Sequence, residues 1–207
     1  MSLNITKLRT DPKGVCDEYG FIVKSPVVKS DEGGSCKLSL KKLDGNVYQL
    51  EPTYGAGSDY PDWFFPYRHD VGTCRVPIPQ PEGTIALTGG MNGCTLEVYK
   101  NGGYFYFYHD NNGCHLHKSG APAVPGEQVC CVPYRSYAGL LNLGFKQAET
   151  LTKAKKMPVD FQHTLICVRT GGGWKVYVTG VHTYGITGKY SIFRPTITCL
   201  LTSFADE

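Results

Sequence analysis

The stretch Cys94-Thr95-Leu96-Glu97-Val98-Tyr99-Lys100-Asn101-Gly102-Gly103-Tyr104-Phe105-Tyr106-Phe107-Tyr108-His109 decides the fold. Two alternating apolar/polar runs surround Asn-Gly, a strong hairpin signal, because a type I′ turn needs positive φ at both central residues. With Asn101-Gly102 at the tip, Lys100 faces Gly103, Val98 faces Phe105, Leu96 faces Phe107 and Cys94 faces His109. Side chains alternate along a strand, so these pairs share one face, and Thr95, Glu97, Tyr99, Tyr104, Tyr106 and Tyr108 share the other. Moving the tip to Gly102-Gly103 makes Cys94 and His109 diagonal neighbours, still on one face.

The rest of the chain reads as β-rich. Its 207 residues carry 25 Gly and 13 Pro, punctuation that suits short strands and turns rather than a helix bundle. Strands are expected at Gly20–Val23, Cys36–Leu40, Asn46–Leu50, Thr84–Thr88, Thr164–Thr170, Trp174–Val181 and Ser191–Thr202. Asp44-Gly45 marks a hairpin, and Gly171-Gly172-Gly173 a turn between strands. Residues 54–67, with six aromatics, read as a packed loop. One helix is expected, about 137–157, on the apolar stripe Leu140, Leu141, Leu143, Ala148, Leu151 and Ala154, with Gly144 as its weak point. The expected architecture is α+β: one β-rich domain over residues 1–207 with a mixed or antiparallel sandwich-like core and one main helix.

Composition narrows the function. Hydrophobic residues at 41% and charged residues at 19% exclude a disordered chain. A net charge of +3 without a long basic run gives no reason to expect nucleic acid, and no apolar run approaches a membrane span. Met1-Ser2-Leu3 is a common beginning of recombinant chains, and the first few residues are read as candidates for that origin. The start lacks a signal-peptide pattern. The nine cysteines are expected to be mostly reduced and buried.

A cysteine within reach of a histidine is the minimum for thiol nucleophilic catalysis. Facing Cβ atoms lie roughly 4.5–5.5 Å apart. The imidazole accepts the thiol proton, and the resulting ion pair lowers the cysteine pKa from about 8.5. The run Thr88-Gly89-Gly90-Met91-Asn92-Gly93-Cys94 allows close backbone approach to a substrate, with the Cys94 amide as an oxyanion donor. A buried cysteine beside a core histidine remains the ordinary alternative.

The Gly93-Cys94 turn, followed fifteen residues later by His109 across a Gly-tipped hairpin, resembles the catalytic domain of cytotoxic necrotizing factors. It is also similar to Burkholderia lethal factor. These bacterial toxins deamidate a glutamine side chain on a host protein. The family's Leu-Ser-Gly-Cys stands here as Met91-Asn92-Gly93-Cys94, so Gly and Cys match while the first two positions differ. The likeness covers about 25 residues around the hairpin. It implies Cys94 as nucleophile, His109 as base and the main-chain carbonyl of Thr88 as the group orienting the imidazole. Asn92 and Gly93 are then the oxyanion and substrate-binding residues. The implied protein is a protein-glutamine deamidase with transglutaminase side chemistry. It needs neither cofactor nor metal, and acts as a monomeric secreted effector in the host cytosol. Rho-type GTPases and a translation-initiation helicase are the family-type targets.

Two other constellations compete. Cys114, His115 and His117 combine thiolate and imidazole donors of the kind zinc takes, although no CxxC pair accompanies them. The outer-face tyrosines with Trp63, Phe64, Phe65 and Trp174 suggest a different class, a non-catalytic carbohydrate- or protein-binding module.

Overall fold

The computed structural model describes residues 3–26, 31–57, 59–67, 70–121, 123–193 and 200–206. Two short helices, α1 (Ile5–Thr10) and α2 (Pro12–Glu18), precede strand β1 (Gly20–Val23). Then come β2 (Gly34–Asp44), β3 (Val47–Tyr54), β4 (Asp62–Phe64), β5 (Val71–Pro77) and β6 (Ile85–Leu87). The hairpin of β7 (Thr95–Asn101) and β8 (Tyr104–Asp110) leads through β9 (Glu127–Val132) to helix α3 (Tyr134–Lys155). Strands β10 (Val159–Thr170), β11 (Gly173–Tyr184), β12 (Lys189–Phe193) and β13 (Leu200–Ala205) complete the chain order.

Among the described residues, nine strands form one sheet in the order β1-β3-β2-β4-β6-β10-β11-β12, with β13 also paired to β11, and four form a second, β5-β8-β7-β9. The β1/β3 and β4/β6 pairs are parallel within an otherwise antiparallel arrangement. The result is the mixed, β-rich α+β domain expected from the turn-rich sequence. Between the sheets lies a core that includes Val98, Phe105, Phe107, Trp174, Val176 and Phe204. Phe107 meets Trp174 edge-on at 5.3 Å, the geometry aromatic quadrupoles favour. A second core, under the other face of the large sheet, contains Leu8, Val15, Phe21, Ile166 and Val168. Strand β10 therefore carries apolar side chains to both layers: Leu165 and Cys167 to one, Ile166 and Val168 to the other. That two-sided burial explains its unbroken apolar run.

Helix α3 begins three residues before the expected start and ends at Lys155, with Lys156 in the left-handed conformation. Leu141 and Ala148 are buried, whereas Leu143 is exposed; the side chain of Leu140 lies outside the described residues. Gly144, read as a weakness, is a contact: a Cβ there would lie 2.1 Å from the Phe161 ring, so its absence lets the helix rest on β10. The 22-residue α3 is the one main helix expected, and the short α1 and α2 accompany it. Asn4 accepts from the Lys7 amide at 2.8 Å and Asp11 from the Gly14 amide at 3.0 Å, both N-caps, with Pro12 in the first turn of α2. The Asp11-Pro12 pair was the available sequence signal. Arg9 then binds the wholly buried Asp62 through both nitrogens, at 2.6 and 2.5 Å, tying α1 to β4. Residues 54–67, read as loop, contain β4, with Phe64 and Phe65 buried. Within the expected Ser191–Thr202 strand, residues 194–199 lie outside the described residues, Cys199 among them.

Candidate active site

The hairpin forms with its tip one residue later than the first expectation. Asn101 pairs with Tyr104, so Gly102 and Gly103 make the turn, with φ of 56° and 82°. Both turn residues need positive φ, and two glycines meet that need more cheaply than Asn-Gly. Every pair consequently shifts by two: Val98 faces Phe107, and Leu96 faces His109. Cys94, just before β7, is therefore not opposite His109 but diagonal to it.

His109 is wholly buried, and its Nδ1 lies 2.7 Å from the Thr88 hydroxyl. The resemblance implied a carbonyl at this position; the side-chain oxygen makes the contact instead. The other ring nitrogen, Nε2, is buried and has no hydrogen-bond partner among the described residues. Such an atom carries a desolvation cost, and a catalytic role is one of the explanations for leaving it unpaired. Tyr67 stacks on the imidazole with centroids 4.5 Å apart and is itself 45% exposed, so it is the cover between His109 and solvent. The cover is seated by Gly72, the β5 partner of His109: a Cβ there would lie 1.5 Å from the Pro66 carbonyl oxygen.

Cys94 is 5% exposed. Its Sγ lies 3.9 Å from Asn111 Oδ1 and receives the Asn112 amide. Asn112 sits at φ 56°, a left-handed conformation that Asn enters more readily than other non-glycine residues. Burial raises the thiol pKa, the Asn112 amide opposes that rise, and the buried Asp110 carboxylate adds to it. Burial likewise pushes the His109 pKa down to about 3. The expectation of an activated thiolate is corrected for this resting arrangement. Both groups are neutral, because neither side chain is solvated and no hydrogen bond joins them.

The oxyanion expectation is corrected too. Asn92 gives its Nδ2 to the Phe161 carbonyl at 2.8 Å and accepts the His163 amide on Oδ1 at 2.9 Å, so its amide acts as a strand partner for β10. The Gly93 amide bonds to the Met91 carbonyl at 3.1 Å. Buried Tyr137, on α3, donates its hydroxyl to the Cys94 carbonyl, while the Gly93 and Cys94 amides lie against that same hydroxyl oxygen and lower its pKa against the rise from burial. The phenol thus engages the backbone of the Gly93-Cys94 turn.

No protein-family model and no curated protein matches the chain.

Sequence reasoning missed Tyr67, Asn111, Asn112 and Tyr137. Only Asn112-Gly113, a turn-forming pair directly after the hairpin, gave a local signal. The zinc-type grouping does not converge. Cys114 Sγ lies 3.7 Å from His115 Nδ1, but His115 turns to Asp110 and Asp70, and His117 reaches buried Glu97 at 2.9 Å. Among the described residues no three His, Cys, Asp or Glu side chains are placed to hold a metal, and no helix is long and apolar enough to cross a membrane. Of the expected aromatic platform, Phe64, Phe65 and Trp174 are core residues.

Proposed function

We propose that the chain is a thiol amidohydrolase that deamidates a glutamine side chain of another protein, with Cys94 as nucleophile and His109 as base. The observation that carries this reading is the state of His109: one nitrogen is anchored on Thr88 and the other is left open in a buried site that also holds Cys94. With Nδ1–H donating to the Thr88 hydroxyl oxygen, the lone pair resides on Nε2. Tyr67 stacks on His109, and Cys94 lies two residues before Leu96, the strand partner of His109, so the sulfur-bearing residue is diagonal to the covered ring. The short likeness around Gly93-Cys94 and His109 supplies the reaction class.

In this reading a docking protein displaces Tyr67 and brings a carboxamide between sulfur and ring. His109 Nε2 takes the thiol proton as Sγ bonds to the amide carbon, then passes it to the departing ammonia. The resulting thioester is hydrolysed by water, leaving glutamate and the free thiol; an amine in place of water gives transglutamination. Thr88 orients the ring, in the manner of the third member of a catalytic triad. A secreted effector working in a reducing host cytosol is the setting that the resemblance implies.

Intact-protein mass spectrometry of candidate host proteins, Rho-type GTPases and translation-initiation helicases first, tests the reading. The expected result is the one-dalton gain of amide to acid, lost with Cys94→Ser and with His109→Ala while the circular dichroism stays that of the parent. A gain that persists in Cys94→Ser removes Cys94 from the mechanism.

A further inference from the structure

Along β8 the phenylalanines and tyrosines part company. Phe105 and Phe107 enter the core, while Tyr104, Tyr106 and Tyr108 face the other way and are half-buried. On that far face, away from His109, the three tyrosines line a cleft of about 670 Å³ with Trp63 from β4 and Thr73 and Arg75 from β5. We propose that this cleft is a binding site for a neutral oligosaccharide.

Its walls have the two properties that a sugar requires. A pyranose presents an apolar face of C–H groups and a rim of hydroxyls. Aromatic rings cover the first, and closely spaced donors and acceptors satisfy the second. The Arg75 guanidinium carbon lies 4.5 Å from the centroid of the Tyr104 ring, a cation–π contact that holds a multivalent N–H donor at the cleft. Thr73 donates a hydrogen bond to the Tyr108 phenol oxygen, which fixes the position of that oxygen at the cleft wall. Tyr104 to Tyr108 spans about 14 Å of strand, room for a short chain of sugar units.

Two observations exclude the other occupants of aromatic grooves. The Trp63 indole N–H is spent on Gln80 Oε1 at 3.1 Å, and Gln80 is itself held by the Pro77 carbonyl at 2.8 Å. That fixes the indole plane and leaves the indole N–H unavailable to the carbonyls of a proline-rich segment. Single-stranded nucleic acid would bring one phosphate per nucleotide. Arg75 is the one cation among the described lining residues, and the Glu32 carboxylate stands at the same cleft.

The test uses the whole chain and a panel of cello-, chito-, malto- and manno-oligosaccharides, with sialylated glycans, single-stranded RNA and a proline-rich peptide as comparators. Tryptophan fluorescence reads Trp63, because Trp174 is buried in the core; a Trp63→Phe control confirms the source of the signal. At least one neutral oligosaccharide is expected to give a saturable change. Its Kd rises about tenfold or more in Tyr106→Ala and stays within about threefold in Tyr106→Phe, which keeps the ring. Binding persists in Cys94→Ser, so the cleft is separable from the proposed reaction. The inference is overturned by any of three results: no saturable response at millimolar sugar, binding indifferent to Tyr106→Ala, or saturation by RNA or the proline-rich peptide alone.

Discussion

The Thr88 hydroxyl and the His109 Nδ1 lie 2.7 Å apart, each residue wholly buried, one at the end of β6 and the other on β8. This hydrogen bond crosses from the large sheet to the small one. It fixes the imidazole plane and leaves Nε2 as the ring's open nitrogen.

Replacing Thr88 by Val keeps the shape and removes the partner, leaving both ring nitrogens buried without one. A destabilisation of about 1–3 kcal/mol is expected in urea unfolding. Turnover of a protein-glutamine substrate should fall with it, and Thr88→Ser should restore both. A Thr88→Val protein with parental stability and turnover would remove the orienting role.

Acid should weaken the fold through two histidines. Burial holds the His109 pKa down to about 3 and the His163 pKa to about 4, against roughly 6.5 in the unfolded chain. Between those values the unfolded chain binds protons that the folded one refuses. Stability from this source is complete above about pH 6.5 and is lost as pH falls, by about 1.4 kcal/mol per pH unit for each histidine. Urea midpoints from pH 7 to pH 5 should decline, and His163→Gln should flatten part of the slope. A slope identical in the two proteins argues against this account.

Thiol labelling should follow exposure. Cys114 and Cys131 are exposed, whereas Cys94 is buried with a raised thiol pKa. Iodoacetamide at pH 7, followed by peptide mass spectrometry, is expected to modify Cys114 and Cys131 before Cys94. Tyr67→Ala should accelerate Cys94 by about tenfold or more, because access beneath the cover limits its reaction. Rapid labelling of Cys94 in the parent would show that Tyr67 does not close the site.

Asn92 separates a structural role from a catalytic one. Asn92→Ala forfeits two hydrogen bonds to β10 and should cost about 1–3 kcal/mol in stability. Turnover per folded molecule should change little. A fall in kcat of about a hundredfold at an unchanged urea midpoint would return Asn92 to the oxyanion role.

By itself the sequence determined what is local. Alternation in Thr95–Asn101 and Tyr104–Asp110 specified two strands and sorted phenylalanines from tyrosines, and with a two-residue turn of either placement it put Cys94 and His109 on one face. The turn-rich composition specified a β-rich domain because glycine and proline break helices. Tertiary structure decided the rest. The hairpin register turned on which pair of adjacent residues bears positive φ most cheaply, a competition between Asn101-Gly102 and Gly102-Gly103 that alternation cannot resolve. Partners for His109 and Cys94 came from Tyr67, Thr88 and Asn112, on segments brought together only when the two sheets close. The protonation of both groups follows from burial, a property of the packed whole that no stretch of chain carries alone.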